Sequence, residues 1–122
     1  MPTRNDLPIF SRRLREAREA AGLSQRNLGI EAGLDAFVAS TRVNRYETGV
    51  HQPDLQTTRN LAKVLDVPLA YFYAEDNKLA AVTLGFHRGD RKLKEKLLNL
   101  STPYGLERPH GRLSKVAEPR DP

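Results

Sequence analysis

The sequence predicts an all-helical protein, and three observations carry that prediction. Apolar residues recur at three- and four-residue spacing in successive segments, the period of a helix with one buried face. Capping residues and glycine stops punctuate those segments: Ser24, Asp54, Asp76 and Asp90 stand where helices would begin, Gly22, Gly33 and Gly89 where they would end. The chain of 122 residues is long enough for one compact core but not for two, so one small domain with an appendage is expected.

Residues 1–8 are polar and hold two prolines, which suits a flexible arm, with Arg4 as its one basic candidate for a DNA contact. Phe10, Leu14, Ala17 and Ala21 define one face of a first helix over residues 9–21. Arg12, Arg13, Arg15, Glu16 and Glu19 fall on its other faces and read as a solvated charged surface. Leu23 and Ser24 open a second helix that ends at Ala32: Ser24 caps the free N–H groups, and Leu23 can pack on Leu28 as a hydrophobic staple. Gly29 sits inside that helix, where a small residue suits a close helix crossing at a propensity cost of about 1 kcal/mol relative to Ala. Gly33 supplies a left-handed stop without a Cβ penalty.

A third helix follows, with Val43 and Tyr46 on one face and Thr41, Arg42, Asn44 and Arg45 mainly on the others. Its start has two readings. It begins near Ser40, or Asp35 caps a longer helix from Ala36 with Phe37 and Val38 feeding the core; the longer helix is the favoured expectation. Residues 48–52 form a loop turned by Gly49. Asp54 caps a fourth helix with Leu61, Ala62 and Leu65 inward. Pro68 starts a short fifth helix in which Leu69 and Phe72 close the core, with Tyr71 and Tyr73 as core or rim residues. Beyond it, Leu79, Val82 and Phe86, then Leu93, Leu97 and Leu100, give two further apolar stripes, a helical hairpin extension over residues 76–100. A hairpin with one apolar stripe must bury it, and a second subunit is the favoured cover. Residues 101–122 lack periodicity and read as a disordered tail, partly ordered by Tyr104 and Leu106, with Arg108, Arg112 and Lys115 offset by Glu107 and Glu118.

A short helix, a glycine turn and a second helix with an exposed Arg, Asn and Thr surface is the layout of a helix-turn-helix that reads the DNA major groove. The residues also resemble a family, the Cro and lambda-repressor-like regulators, also called the xenobiotic response element family. The strings that carry the resemblance are Leu14-Arg15-Glu16-Ala17-Arg18, Gly22-Leu23-Ser24-Gln25, Ala32-Gly33, Val43-Asn44-Arg45-Tyr46-Glu47-Thr48-Gly49, Pro53-Asp54-Leu55 and Leu61-Ala62-Lys63-Val64-Leu65-Asp66-Val67-Pro68-Leu69. They run in family order over about residues 9–74. The segment 34–37 departs from the pattern as an insertion of about four residues.

The resemblance implies a lambda-repressor-like five-helix DNA-binding domain over residues 9–75, bearing the helical extension. It implies that Ser40, Thr41, Arg42, Asn44 and Arg45 meet DNA bases, and that Ser24, Gln25, Arg26, Thr48, Gly49 and His51 meet the DNA backbone. The chemistry fits: Arg binds guanine bidentately, Asn binds adenine, and Ser or Thr hydroxyls serve either. It also implies an ion pair between Arg18 and Glu47, tying the first helix to the end of the reading helix. The expected partners are double-stranded DNA and a second copy of the chain, since such proteins read pseudo-palindromic sites as dimers.

Composition is consistent with this reading. Twenty Lys and Arg stand against fifteen Asp and Glu, a net charge of +5 that favours a polyanionic partner. Cysteine is absent, which excludes disulfides and thiolate zinc sites and suits a cytoplasmic location. No apolar run reaches the ~18 residues of a membrane span. The three histidines lie in different segments, and there is no P-loop or Gly-x-Gly-x-x-Gly, so neither enzyme activity nor a cofactor or metal is expected. Within the same fold, an antitoxin or a phage or restriction-system controller is an alternative to a repressor. Outside it stands a protein-interaction module that has lost DNA binding.

Overall fold

The computed structural model describes residues 6–106, so the Arg4 arm contact and the charged residues from Glu107 onward lie outside the described residues. Seven α-helices follow in order: α1 (Ile9–Ala20), α2 (Gln25–Glu31), α3 (Ala39–Glu47), α4 (Leu55–Leu65), α5 (Leu69–Tyr73), α6 (Asn77–Arg88) and α7 (Arg91–Ser101), ending in a 3-10 turn (Thr102–Tyr104). No strand occurs among the described residues. The chain divides into two compact units after Arg88.

In the first unit, α2, α4 and α6 start on side-chain caps, whereas α1, α3 and α5 start without one. Ser24 Oγ accepts from Asn27 N at 3.0 Å and Asp54 Oδ1 from Thr57 N at 2.8 Å. Asp76 Oδ1 accepts from Lys78 N and Leu79 N ahead of α6. These bonds satisfy donors that a helix N-terminus otherwise leaves open. The backbone N–H of Thr57 holds the Asp54 carboxyl below its ordinary value. The core is built from Phe10, Leu14, Leu28, Val43, Tyr46, Leu61, Leu65 and Phe72, with Leu23 and Leu34 packed partly buried against it.

The polar face assigned to α1 is not uniformly solvated. Arg13 is buried: its Nε donates to Ala74 O at 2.8 Å, and its other nitrogens reach Glu16 Oε1, Asn77 Oδ1 and Glu75 O. It clasps α1 to the end of α5 and the start of α6, with its guanidinium 5.7 Å from the centre of the Tyr71 ring. Position 13 lies three residues after Phe10 and four before Ala17, within the buried stripe itself. The carbonyl it binds ends α5, where helix C-termini favour cations.

Tyr71 is buried and donates to Glu16 Oε1 at 2.9 Å; Tyr73 is half exposed beside Phe10. Burial first, and then the bond to Glu16, push the Tyr71 phenol up to about 12 from its ordinary 10.0. The fold therefore favours the neutral phenol. Its contribution is complete below pH 10 and is lost as the pH rises through about 12, because only the unfolded chain ionises in between. Melting temperature should fall across that interval, and Tyr71→Phe should flatten this part of the profile. Alkaline melts of the two proteins compare them directly.

α6 packs on α5 through Ala80 and Leu84. Its basic end closes over the end of α4. Asp66 takes a left-handed conformation there (φ 55°), and Arg88 donates to Leu65 O and Asp66 O while His87 Nε2 lies 3.1 Å from Asp66 Oδ1. The stripe read from the sequence is a different face: Leu79 and Val82 are 53% and 57% exposed. In the second unit, Asp90 Oδ1 caps α7 through Leu93 N at 2.8 Å, and Leu93, Leu98, Leu100, Tyr104 and Leu106 are exposed.

Candidate nucleic-acid interface

α3 is presented by α2. Gly33 adopts a left-handed conformation (φ 95°), and Leu34 N closes the end of α2 on Gly29 O at 2.9 Å. Asn60 Nδ2 adds a bond to Ala32 O from α4. The longer reading helix is not formed. Asp35 does not cap a helix from Ala36; its Oδ1 accepts from Phe37 N at 2.8 Å in a local turn, and Val38 N returns to Asp35 O. The helix starts at Ala39, one residue from the shorter of the two readings. Phe37 and Val38 do not feed the core either: Phe37 is 97% exposed and Val38 39%. Ala39 and Leu34 take the inward places.

The reason is the crossing of α2 and α3. A Cβ built on Gly29 would lie 2.8 Å from Ala39 Cβ and 3.0 Å from Ala39 O. The helices cross so closely there that any side chain at position 29 would run into the Ala39 methyl and backbone. Gly29→Val should force them apart and cost about 1–3 kcal/mol by overpacking, read as a loss of denaturation midpoint.

From Ala39 onward the burial pattern fixes the surface. Ala39, Val43, Tyr46 and Glu47 are buried, the i, i+4, i+7, i+8 stripe of an amphipathic helix. Ser40, Thr41, Arg42, Asn44 and Arg45 are all exposed, a continuous polar face with two arginines and no acid. At its C-terminal side a groove of about 400 Å³ is lined by Arg42, Arg45, His51, Gln52 and Thr57, with Asp54 as its one acidic residue. Ser24, Arg26, Thr48, Gly49 and His51 are exposed, and Gln25 is half-buried.

Three backbone N–H groups of this loop turn inward, two of them at residues expected to meet phosphate: Thr48 N bonds to Asn44 O, and Val50 N and His51 N to Arg45 O. Thr48 Oγ likewise donates to Asn44 O. Gly49 is left-handed (φ 78°), and a Cβ there would lie 3.0 Å from Pro8 Cδ, so this turn is packed against the entry to α1.

The face is held by a buried carboxylate. Glu47, 2% exposed, accepts from Arg18 Nε at 2.6 Å, from a second Arg18 nitrogen at 3.1 Å and from Gln25 Nε2 at 3.1 Å. Arg18 also donates to Leu23 O at 2.9 Å, and Gln25 Nε2 lies 3.5 Å from Asn44 Oδ1. One guanidinium thus joins α1, the entry to α2 and the end of α3. The bond to Glu47 holds the Arg18 guanidinium above its ordinary value, against burial, which works the other way. Ser11 Oγ adds a buried bond to Tyr46 O at 2.7 Å. The sequence singled out this pair only through family resemblance; the Gln25 bond turns it into a three-residue network.

Among the described residues no group of His, Asp and Glu is placed to hold a metal ion, and no helix is long and apolar enough to cross a membrane. Residues 9–70 match the model of a family described as a helix-turn-helix domain. The crystal structure of transcriptional regulator BswR is similar, with a TM-score of 0.70 and 39% identity, the match covering 75% of this chain and 91% of that one. Among curated proteins none matches. The family match spans more than half of the chain, and the chain belongs to the helix-turn-helix domain family, in the Cro and lambda-repressor-like form that its ordered motifs resemble.

Proposed function

We propose that the protein is a sequence-specific double-stranded DNA-binding transcriptional regulator of the cytoplasm, a repressor that acts as a homodimer. The observation that carries this reading is the exposed face of α3. Five side chains able to hydrogen-bond base edges or phosphates stand together there, on a helix braced by two others. Ser40, Thr41 and Arg45 read bases, and Arg42 and Asn44 serve bases or phosphates. Ser24, Gln25 and Arg26 at the entry to α2, with Gly49 and the His51 side chain after α3, follow the backbone, while Thr48, whose two donors are bonded to Asn44 O, supports the turn. The groove between Arg42, Arg45 and His51 suits a phosphate.

Dimerisation is supported by the apolar faces that α6 and α7 leave exposed. α6 packs on its own unit through Ala80 and Leu84, and its Leu79 and Val82 are free to meet a second copy. Occupying an operator would block polymerase, which is the simplest route to repression; the similarity to a transcriptional regulator supports regulation in general.

Selection of bound duplexes from a random pool at near-physiological salt tests the reading. A two-fold symmetric motif with half-sites about one helical turn apart, roughly 34–36 Å, is expected. Salt-sensitive binding with no enriched motif would overturn it.

A further inference from the structure

We infer that Phe37 is a specificity-determining residue that packs on the C5-methyl group of a thymine in the major groove, at one position per half-site. The inference rests on the DNA-binding reading above and adds an apolar contact to a face otherwise composed of polar groups. Phe37 is 97% exposed, an aromatic ring with almost no protein around it. Single exposed apolar residues are common on proteins, but this one is held in place. Its N–H is fixed to Asp35 Oδ1 at 2.8 Å, Val38 N to Asp35 O at 3.0 Å, and Arg42 N to Val38 O at 2.8 Å. The turn is therefore hydrogen-bonded on both sides of the ring and continuous with the first turn of α3. The close approach of Gly29 and Ala39 fixes where that turn emerges.

Position matters more than exposure. A reading helix meets base edges with its N-terminal residues, and Phe37 stands two residues before Ala39, the first residue of α3, and three before Ser40. A ring there projects from the end of the helix that approaches the groove. The major groove offers one apolar group, the thymine methyl, and side-chain hydrocarbon is what recognises it. The other residues of the face supply hydrogen bonds and charge; Phe37 supplies the contact that they lack. Its neighbours in the turn, Ala36 and Val38, are also exposed and uncharged, and the one charged group there, the Asp35 carboxylate, is engaged by the Phe37 N–H.

The test is a thymine-methyl cycle on the full-length chain. A duplex chosen from the random pool by wild-type protein is remade with deoxyuridine in place of thymine, one position at a time, which deletes only the methyl. Wild-type protein should lose about three- to tenfold in affinity at one position of each half-site, the scale of one buried methyl. Phe37→Ala should lose a similar factor on the thymine duplex and show no further loss with deoxyuridine. Phe37→Leu, which keeps hydrocarbon, should retain part of the thymine preference. Because the ring contacts almost nothing in the protein, these variants should melt with the wild type. If every position gives the same thymine-to-deoxyuridine ratio for Phe37→Ala as for wild type, the inference is wrong. A change of oligomeric state in Phe37→Ala, with base preference intact, would also overturn it and assign the ring to a protein contact. Failure of the wild type to select any motif would instead remove the DNA-binding reading itself, so the two failures are distinguishable.

Discussion

Glu47→Gln should be the most damaging single substitution on the surface-forming helices, costing about 3–5 kcal/mol, the range for breaking a buried ion pair by removing one partner. In a domain of this size each kcal/mol shifts the melting temperature by roughly 4–8 °C, so a drop of more than ten degrees is expected by circular dichroism. The charge left behind explains the size. Arg18 is 13% exposed and has both of its carboxylate contacts on Glu47. With glutamine in place, the guanidinium stays buried beside a neutral amide, and Gln25 Nε2 faces a group that can present a donor as readily as an acceptor. The pair need not stabilise the fold in absolute terms, because burying two charges costs about as much as their attraction returns. That gives the experiment its second arm. Glu47→Gln combined with Arg18→Met leaves no uncompensated charge and should melt above Glu47→Gln alone. Unchanged melting of Glu47→Gln would mean that the pair contributes nothing at the junction of α1, α2 and α3.

These three helices also show which features of the molecule are legible in a sequence and which are not. Helix existence followed from period and punctuation. Ser24, Asp54, Asp76 and Asp90 each cap the helix that they precede, because capping is a local bond between a side chain and a backbone three residues on. Gly29 was legible as a small residue at a crossing, since nothing else explains glycine inside a helix. The turn over residues 34–38 was not. Asp35 is as good a cap for a longer helix as it is an acceptor for its own turn, and the choice lies with the Gly29–Ala39 contact, a tertiary fact. Burial of Arg13 was hidden by its type: the period puts position 13 on the inner face, but charge argues against it until the carbonyls of Ala74 and Glu75 arrive from sixty residues away. The α6 stripe misled in the opposite sense. Leu79 and Val82 are the larger residues, yet the smaller Ala80 is the one that fits against α5. As for the candidate site, the identity of its polar residues is open to reading, whereas an aromatic type at position 37 argues for burial and the turn leaves its ring exposed.

Arg42→Ala combined with Arg45→Ala should bring the largest loss of DNA affinity, and the way affinity is lost separates two roles that residue type alone cannot. Both side chains are exposed on α3, and both line the groove with His51. Neither supports the core, whose contacts on this helix come from Ala39, Val43, Tyr46 and Glu47. The double variant should therefore fold, and the hydrogen bonds of Val50 and His51 to the Arg45 carbonyl do not depend on its side chain. An arginine on phosphate releases counterions on binding, so each one lost should lower the slope of log K against log salt by about 0.9. In a dimer with both arginines on phosphate the slope should fall by roughly four times that amount. An arginine on guanine contributes mainly base discrimination, about 1–3 kcal/mol per pair. Its loss relaxes one position of the selected motif while touching the slope less. Arg42, whose charge helps hold the Asp54 carboxyl low at the start of α4, should act mainly through the slope. Arg45, the base-edge candidate, should act mainly through the motif. Single variants titrated at several salt concentrations against the selected duplex and a scrambled one resolve the two. If the double variant keeps both the wild-type salt slope and the wild-type motif, DNA does not meet this protein across α3.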